Sequence, residues 1–319
     1  MSLPDIAALP GVHPFYLKAL ATRFNVVALN ELTDSSDDTA LATRVVGLAS
    51  SGESKVPATL LARFPALKIV SVFGVGYDGV DLAAARERGI AVTHTPGVLT
   101  DDVADMAMAL MLAVARGVPR ADQHVRAGKW PSGGLPLGRK VSGARLGIVG
   151  LGRIGQAIAQ RARGFDMSIA YTARTEKSQS GFTYYPDPKA LAAAVDFLVV
   201  ITPGGAGTRH LIDAEVLKQL GPDGYLINVA RGSVVDEVAL VTALQSRTIA
   251  GAGLDVFESE PKVPVALWHM DHVVLTPHIA SGTVQTRESM AELAFNNMLA
   301  AVEGRPVLTM VPELQDGNH

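Results

Sequence analysis

The chain of 319 residues contains no cysteine. This excludes disulfide bonds, zinc sites built on thiolates and cysteine nucleophiles. Long hydrophobic runs are also missing, since the longest, Met106 to Ala115, is too short to span a bilayer. Charged residues make up only 18%, the formal net charge is -3, and there is no long basic run. We therefore expect neither nucleic acid nor a membrane surface as the main partner.

The first residues, MSLPDIAALPG, show neither a basic segment nor a long apolar one, so we expect no signal peptide and a cytoplasmic protein. What the chain has in quantity is hydrophobic residues, at 48%. That share can bury a large core, and the chain length exceeds the usual size of a single core. The composition therefore predicts two globular domains.

Short apolar, β-branched runs alternate with helix-like stretches along the whole chain, in two series. This alternation is typical of βαβ units, so we predict an α/β fold with two doubly wound, parallel-sheet domains. The predicted strands of the first series are Asn25–Leu29, Val45–Leu48, Leu67–Val72 and Ala91–Thr93. Those of the second are Arg145–Val149, Ser168–Thr172, Phe197–Ile201, Tyr225–Val229, Gly253–Val256 and Val273–Thr276.

The segment Thr95-Pro96-Gly97 interrupts the chain after the first series. A long apolar helix is predicted at Thr100 to Arg116, and a second, at Arg287 to Glu303, carries the chain back after the last strand. We therefore expect one discontinuous domain, 1–96 plus 286–319, and a second domain at 97–285. The Gly- and Pro-rich stretch Gly128–Gly143 is predicted to be an extended arm.

Three glycines in GIVGLGRIGQAIAQ have the spacing G-x-G-x-x-G: Gly150, Gly152 and Gly155. A predicted strand precedes them and a helix-like stretch follows, which is the context in which this turn binds the pyrophosphate of a dinucleotide. The N–H groups and the positive dipole end of that helix would face the phosphates. The competing interpretation is a glycine-rich turn without a ligand.

The end of the next strand indicates which dinucleotide. NAD-binding folds carry an acidic residue there for the ribose 2′-hydroxyl. This sequence has YTARTEK instead, with Arg174 and Thr175 after the strand. An arginine can bind a 2′-phosphate through forked, charge-assisted hydrogen bonds, so we predict NADPH over NADH. Alternatively, Arg174 is a surface residue whose stem lies on the adenine.

Three polar residues follow successive strands of the second series: Arg231, Glu260 and His278. Ligands bind at this edge of open α/β sheets. The arginine can hold a substrate carboxylate and carbonyl, the histidine can give a proton to the carbonyl oxygen, and the carboxylate can favour the protonated imidazole. Taken singly, each has a structural alternative: an ion pair of Arg231 with Asp236, a solvated turn at Glu260, and a helix cap at His278.

Several stretches, from about Leu67 to Val307, resemble the D-isomer-specific 2-hydroxyacid dehydrogenases: VFGVGYDGVDL, GIVGLGRIGQAIAQRARGFDM, INVARGSVVDE, GAGLDVFESEP and LTPHIASGT. TPGVLTDDVAD, the pair Arg174-Thr175 and HIASGTVQTRESM are similar to the NADPH-dependent glyoxylate/hydroxypyruvate reductase branch, which includes plant hydroxyphenylpyruvate reductases. The resemblance implies a flavodoxin-like substrate domain, a Rossmann dinucleotide-binding domain and an active site in the interdomain cleft.

The resemblance also implies roles for individual residues. Arg231, Glu260 and His278 would be catalytic, and the backbone N–H groups of Val75 and Gly76 would bind the substrate carboxylate. Ser281 would hydrogen-bond a substrate hydroxyl or cap the following helix. The implied cofactor contacts are the glycines Gly150, Gly152 and Gly155, with Arg153, Ile154, Arg174, Thr175, Thr202, Pro203, Thr208, Ala230, Asp255 and Gly282. The stretch TPGGAGTRHLI departs from the family's Pro-Leu-Thr-x-x-Thr pattern, which puts the contacts of Thr202, Pro203 and Thr208 in question.

We therefore predict NADPH-dependent reduction of small 2-oxo acids, such as glyoxylate and hydroxypyruvate, to D-2-hydroxy acids, with NADH as a possible cofactor. The family implies a homodimer, in which Trp130 reaches the partner's active site or packs on its own domain. His269 and His272 have no evident third ligand, so no metal is expected. Two alternatives stay open: an NAD-dependent phosphoglycerate- or lactate-type dehydrogenase, and a nucleotide-sensing, corepressor-like binding protein.

Overall fold

The computed structural model describes residues 3–29 and 36–315, with only the backbone for 36–38. The chain divides into two compact units, one formed by Met1–Leu99 with Gly282–His319 and the other by Thr100–Ser281. Within the described ranges, no helix has both the length and the apolar character needed to cross a membrane. Each unit is built on one parallel sheet, so the predicted α/β class with two parallel-sheet domains is confirmed.

The first unit contains a five-stranded sheet in the order β2-β1-β3-β4-β5. Its strand order is that of flavodoxin-like folds. All four pairings are parallel; Asp5 pairs with Asn25, and Ile69 pairs with Ala91. The strands are β1 (Asp5–Ala8), β2 (Asn25–Ala28), β3 (Val45–Ser51), β4 (Ile69–Phe73) and β5 (Ala91–Thr93).

Helices cover this sheet, and the last helix of the chain returns to it as predicted. Ser71 and the Tyr16 hydroxyl both donate to the carbonyl of Ala294 on that returning helix, at 3.1 and 3.4 Å. A separate hydrophobic cluster, which includes Leu61 and Phe64, packs against the sheet and does not involve the returning helix. The helices are α1 (Pro14–Leu20), α2 (Ser36–Ala42), α3 (Ala58–Ala62), α4 (Leu82–Glu87) and, at the end of the chain, α11 (Val284–Val302).

The second unit contains a seven-stranded parallel sheet in the order β8-β7-β6-β9-β10-β11-β12. Val149 of β6 pairs with Thr172 on one side and with Val200 on the other, so the strand order reverses at β6. This is the Rossmann arrangement, in which ligands bind at the reversal point. The strands are β6 (Arg145–Val149), β7 (Ser168–Thr172), β8 (Thr183–Tyr184), β9 (Phe197–Val200), β10 (Tyr225–Asn228), β11 (Gly251–Leu254) and β12 (Val273–Leu275).

The long apolar helix of the second unit packs directly on its sheet. A Cβ at Gly253 of β11 would lie 2.9 Å from the Cβ of Leu110, so glycine allows this close approach. The opposite face packs against three other helices in one hydrophobic cluster. The helices are α5 (Thr100–Arg116), α6 (Val118–Arg126), α7 (Arg153–Arg163), α8 (Pro188–Ala192), α9 (Ala214–Leu220) and α10 (Glu237–Gln245).

The predicted arm follows α6. Apart from a single turn at Trp130–Ser132, residues 129–141 have no helix or strand, and their side chains are mostly exposed. Leu137 is fully exposed and Trp130 is 69% exposed. The extended arm is therefore confirmed, whereas α6 itself was not predicted.

Candidate active site

The first glycine of the turn brings two strand ends into backbone contact. Gly150 follows β6 with a φ of 105°, a conformation that favours glycine. A Cβ at Gly150 would lie 2.9 Å from the amide nitrogen of Thr202, which follows β9. The loops after β6 and β9 therefore meet at the reversal point of the sheet, where the sequence places the dinucleotide.

The other two glycines lie at the N-terminus of α7. Gly155 is buried, and a Cβ there would lie 2.2 Å from the carbonyl oxygen of Gly150. Gly152 is the N-cap residue, and a Cβ there would meet nothing within 4 Å. Arg153 and Ile154 are the first residues of this helix. The turn thus presents an open helix N-terminus that fits a pyrophosphate.

The end of β7 is basic and exposed. Arg174 and Thr175 both lie on the surface. Among the described residues, Arg174 forms no ion pair, and the loop after it is held by the amide of Lys177, which donates to the Tyr171 hydroxyl at 2.6 Å. An unpaired guanidinium in this place fits a 2′-phosphate better than a ribose hydroxyl.

The structure brings Glu260 and His278 into contact. Nδ1 of His278 lies 2.7 Å from Oε2 of Glu260, while Oε1 of Glu260 accepts a hydrogen bond from the Phe257 amide at 2.9 Å. Burial would raise the pKa of the Glu260 carboxyl. The hydrogen bond and charge of His278, the Phe257 amide and the charge of Arg231 outweigh burial and lower that pKa. The pair is thus a carboxylate that orients an imidazole.

Arg231 lies in the segment that links β10 to α10. Its Nη1 donates to the carbonyl of Ala230 at 2.8 Å. Asn228 holds both residues, because its side chain accepts from the Ala230 amide and donates to the Arg231 carbonyl, each at 3.1 Å. Asp236 caps α10 by accepting from the Ala239 amide. The backbone of Arg231 therefore lies in a turn that the Asn228 side chain holds in place.

Asp255 organises the loop that carries His278. It is fully buried, and its carboxylate accepts from the hydroxyl of Thr276 and from the amides of Ile279 and Ala280, at 2.6 to 2.9 Å. Its carbonyl accepts from the His278 amide at 2.8 Å. Both carboxylate oxygens are thus engaged within the loop, and a contact to the nicotinamide amide stays a prediction.

The loop after β9 closes on itself. The hydroxyl of Thr208 donates to the carbonyls of Pro203 and Gly205, at 2.7 and 3.3 Å. Thr202 is half-buried, and Pro203 is exposed. Contacts from these three residues to the adenosine remain predictions. His272 is also used locally, since its Nε2 lies 3.2 Å from the Leu244 carbonyl.

Known proteins resemble this chain over most of its length. Residues 108–280 match the family model described as D-isomer specific 2-hydroxyacid dehydrogenase, NAD binding domain. The chain is 49% identical over 267 residues to hydroxyphenylpyruvate reductase of Plectranthus scutellarioides, covering 84% of each protein. It is 43% identical over 310 residues to 2-ketogluconate reductase of Gluconobacter oxydans (strain 621H), covering 97% of this chain and 99% of that one.

The chain belongs to the D-isomer specific 2-hydroxyacid dehydrogenase family. Among solved structures, it resembles the NADPH-dependent glyoxylate/hydroxypyruvate reductase of Sinorhizobium meliloti in complex with NADP and malonate. The TM-score is 0.92 at 47% identity, with 98% of each chain covered. The resemblance inferred from the motifs is confirmed, and as a 2-hydroxyacid dehydrogenase this protein is an oxidoreductase.

In this dehydrogenase the loop after β4 presents backbone donors. The carbonyl of Gly74 accepts from the Thr95 amide at 2.8 Å, and the carbonyl of Val75 lies 2.9 Å from Nδ1 of His94. Within the described part of the chain, the N–H groups of Val75 and Gly76 have no acceptor. Such adjacent N–H groups suit a carboxylate. Ser281 is half-buried at the end of the second unit, and Gly282 is exposed.

Several residues that hold the proposed site residues in place were not predicted from the sequence. Asn228 and the role of Asp255 towards His278 are two, and the charged side chains of Arg209, His210, Glu237 and Glu258 are others. Their partners are backbone groups or side chains many residues away. The one visible signal was their position beside the strand ends.

Proposed function

We propose that this protein is an NADPH-dependent reductase of short 2-oxo acids, with glyoxylate and hydroxypyruvate as substrates and D-2-hydroxy acids as products. The observation that carries the proposal is the contact between His278 and Glu260, at 2.7 Å, in the same unit as the open glycine turn. A carbonyl reductase needs both an acid–base pair and a dinucleotide site. The hydroxypyruvate and glyoxylate reductase activities named for similar proteins support it.

Bound NADPH supplies the hydride that is added to C2 of the 2-oxo acid. His278 donates the proton to the carbonyl oxygen from Nε2, because Nδ1 is bonded to Glu260. Glu260 stabilises the imidazolium that must be present before each reduction. Arg231 binds the carboxylate and polarises the carbonyl through its forked donors. The N–H groups of Val75 and Gly76 hold the second carboxylate oxygen, with Ser281 placed for a substrate hydroxyl.

The cofactor is held by the second unit in this proposal. The amides of Gly152, Arg153 and Ile154 face the pyrophosphate, while Arg174 and Thr175 bind the 2′-phosphate. NADH is the weaker cofactor, because it gives the Arg174 guanidinium no phosphate to pair with. The NADP in the S. meliloti relative supports this choice. Thr202, Pro203, Thr208, Ala230, Asp255 and Gly282 complete the proposed cofactor contacts.

The proposal includes a homodimer in the cytoplasm. Apolar side chains on α6 and the arm support the dimer: Val118, Val125, Trp130 and Leu137 are all more than half exposed. The absence of cysteine is compatible with a reducing compartment. The NAD-dependent and corepressor-like alternatives lose support, because the relatives are named as reductases and one is NADPH-dependent.

A steady-state assay tests the reaction and the cofactor site together. The oxidation of NADPH and of NADH would be followed with glyoxylate, hydroxypyruvate, pyruvate, 4-hydroxyphenylpyruvate and 2-ketogluconate. We expect a preference for NADPH that Arg174→Ala abolishes, lowering kcat/KM for NADPH by about 10- to 100-fold and leaving NADH unchanged, since a charged hydrogen bond contributes about 1.5–3 kcal/mol.

The matched control is Lys218→Ala, which removes an exposed positive charge from α9. It should leave both cofactors unchanged. Equal use of NADPH and NADH by the unaltered enzyme would contradict the phosphate site. Tight NADPH binding without oxidation by any 2-oxo acid would refute the reductase and favour a nucleotide-sensing protein.

A further inference from the structure

Glu258 stands two residues before Glu260 and gathers charged groups from a different loop. Its Oε1 accepts from Nη2 of Arg209 at 2.7 Å and lies 3.1 Å from Nε2 of His210. Arg209 and His210 directly follow Thr208, in the loop proposed to line the adenosine. Glu258 therefore joins the cofactor-side loop to the segment that carries Glu260.

His210 is held in place at a conformational cost. Its φ is 50°, in the left-handed region that few residues other than glycine adopt, although histidine, asparagine and aspartate do so more often than most. Its amide donates to the Ser233 carbonyl at 2.9 Å, and its ring lies between two carboxylates, with Nδ1 3.9 Å from Oδ2 of Asp236. An unfavourable backbone persists only where the surroundings determine it, and such residues concentrate at functional sites.

The peptide between Phe257 and Glu258 is fixed from several sides. The Glu258 amide donates to Oε1 of Glu237 at 3.1 Å. A Cβ at Gly232 would lie 1.9 Å from the Phe257 carbonyl carbon, so the turn next to Arg231 touches this peptide directly. The N–H of Phe257, on the other side of the same residue, donates to Oε1 of Glu260. Phe257 thus links the fixed Phe257–Glu258 peptide to the Glu260 carboxylate.

The charged groups around Glu258 favour its ionised form. Hydrogen bonds and charges from His210 and Arg209 lower the pKa of Glu258 against the opposing effect of burial. Burial, and after it the charge of Glu258, raise the pKa of nearby Glu237 despite the hydrogen bond from the Glu258 amide. Without Arg209 and His210, Glu258 and Glu237 would repel each other next to the catalytic carboxylate.

We propose that Glu258 is a positioning residue for the Glu260–His278 pair and that, through His210 and Arg209, it couples the cofactor-side loop 202–210 to the proton-donating imidazole. The proposal rests on the proposed function, in which Glu260 and His278 are the acid–base pair. It assigns to Glu258 and His210 a role in catalysis without contact to the substrate.

The expected signature is a split between kinetic parameters. Loss of the Glu258 carboxylate lets the Phe257–Glu258 peptide shift, so Glu260 supports the His278 imidazolium less well. The alkaline limb of the pH profile for reduction then moves to lower pH, and kcat falls. The KM for the 2-oxo acid should change less than kcat, because the Glu258 carboxylate pairs with Arg209 and His210, which are not among the proposed substrate contacts.

The experiment uses Glu258→Ala, Glu258→Gln, His210→Ala, His210→Asn and the double variant Glu258→Ala/His210→Ala in the full-length protein. Glutamine keeps an acceptor for Arg209 and His210, and asparagine keeps a donor in a left-handed backbone. Each variant is measured for kcat, KM, the alkaline limb, NADPH affinity by cofactor fluorescence, and thermal midpoint. The control is Glu215→Ala, which removes an exposed carboxylate paired with Lys189.

We expect Glu258→Ala and His210→Ala each to lower kcat about tenfold and to shift the alkaline limb, whereas Glu258→Gln and His210→Asn should keep most of the activity and leave the limb almost in place. The double variant should be no worse than the poorer single one, because the two residues act through one contact. A kcat loss with an unmoved limb, or strictly additive losses, would overturn the proposal and leave Glu258 a stabilising residue.

If Glu258→Ala fails to fold, His210→Ala decides the matter, because it removes the same contact from the other side. A kcat and an alkaline limb in His210→Ala equal to those of the unaltered enzyme would then overturn the proposal. Failure of the proposed function looks different: the unaltered enzyme would then reduce none of the 2-oxo acids, whatever happens at Glu258.

Discussion

His278, the proposed proton donor, has a left-handed backbone, at a φ of 53°. Such a conformation costs about 1–3 kcal/mol in a residue other than glycine. Asp255 compensates for that cost, because it binds three groups of the same loop from a fully buried position and accepts the His278 amide through its carbonyl. The ring is therefore aimed at Glu260 by the backbone as well as by the hydrogen bond.

Replacement of Glu260 by glutamine tests the pair directly. Reduction needs a protonated His278, and the Glu260 carboxylate, 2.7 Å away, stabilises that form. In Glu260→Gln the alkaline limb of kcat/KM should move to lower pH, so activity near neutral pH falls about 100-fold or more while activity at low pH falls less. The measurement is the pH profile for hydroxypyruvate with NADPH.

Glu215→Gln on α9 serves as the control for loss of one carboxylate, since Glu215 is exposed and pairs with Lys189. Its profile should match that of the unaltered enzyme. A rate that stays flat from about pH 5 to 9 in the unaltered enzyme would count against His278 as the proton donor.

The residues proposed to carry the reaction were easier to select from the sequence than the residues that hold them in place. Glu260 and His278 each follow a strand of the same parallel sheet, and parallel strands bring their carboxyl ends to one edge. The use of Asp255 as an anchor, and of Glu258 as a partner of Arg209 and His210, depends on how loops 20 to 50 residues apart fold back. No periodic pattern records that folding.

At the scale of elements, Asp196 fastens the arm and two strands together. Its carboxylate accepts from the Arg145 amide and guanidinium, at 2.8 to 3.2 Å, and from Nη2 of Arg139 at 3.1 Å. The hydrogen bond from Arg145 lowers the pKa of Asp196, against a smaller opposing effect of burial. Asp196 precedes β9, Arg145 begins β6, and Arg139 lies in the arm.

Asp196→Asn should destabilise the second unit by about 1 kcal/mol at neutral pH, a value reduced for the solvent exposure of both arginines. Because folding lowers the pKa of Asp196, its contribution is present above the unfolded-state pKa of about 4. It is lost as the pH falls through the lower, folded-state value. The difference between the two proteins should therefore shrink in acid, as measured by urea unfolding at several pH values.

Glu215→Gln is the control, because Glu215 pairs with Lys189 on the exposed surface, outside the proposed dimer interface, and should matter little. A variant at Asp196 that unfolds at the same urea concentration as the unaltered protein at neutral pH would show that the cluster adds nothing. A difference that grows in acid would contradict the sign of the pKa shift.

The elements themselves could be predicted where the sequence is apolar and β-branched. The strands Ala91–Thr93, Arg145–Val149 and Ser168–Thr172 have the predicted bounds. The short strands Asp5–Ala8 and Thr183–Tyr184 were missed, because one begins with a charge and the other has only two residues. Helix α6 was missed because it buries no residue, so it lacks the apolar stripe that predicts a helix.

β3 shows why strand ends are harder to predict than strands. It was predicted to end at Leu48 but runs to Ser51, because Ala49, Ser50 and Ser51 pair with β4, and Ala49 also pairs with β1. Small and polar residues have little intrinsic preference for strands, and neighbouring strands decide their conformation. The parallel direction of the strands, by contrast, was predicted from the βαβ alternation alone.

At the scale of the whole molecule, each unit has its own sheet and its own core. The residues proposed to hold the cofactor lie in the second unit except Gly282, and the N–H groups proposed for the carboxylate lie in the first. Because these N–H groups and the proposed cofactor contacts lie in different units, each set can be altered without changing the other. Variants at Arg174 should therefore leave the KM for the 2-oxo acid unchanged.

The exposed apolar residues of α6 and the arm support the proposed dimer. Leu137 is fully exposed, and Val118, Val125 and Trp130 are each more than half exposed. Burial of one such side chain contributes about 1.5–3 kcal/mol, so the four together suit a dimer interface. A second copy of the chain is the proposed partner.

Leu137→Glu should weaken the dimer about 100-fold or more, because it places a charge where the leucine would be buried. The molar mass would be measured by light scattering on a sizing column across a dilution series. The variant should dissociate from dimer to monomer at a higher protein concentration than the unaltered protein. Leu308→Glu, at an exposed leucine outside the arm, should change nothing. An unaltered protein that is monomeric at every concentration, or a Leu137→Glu variant as dimeric as its parent, would show that the arm serves another surface.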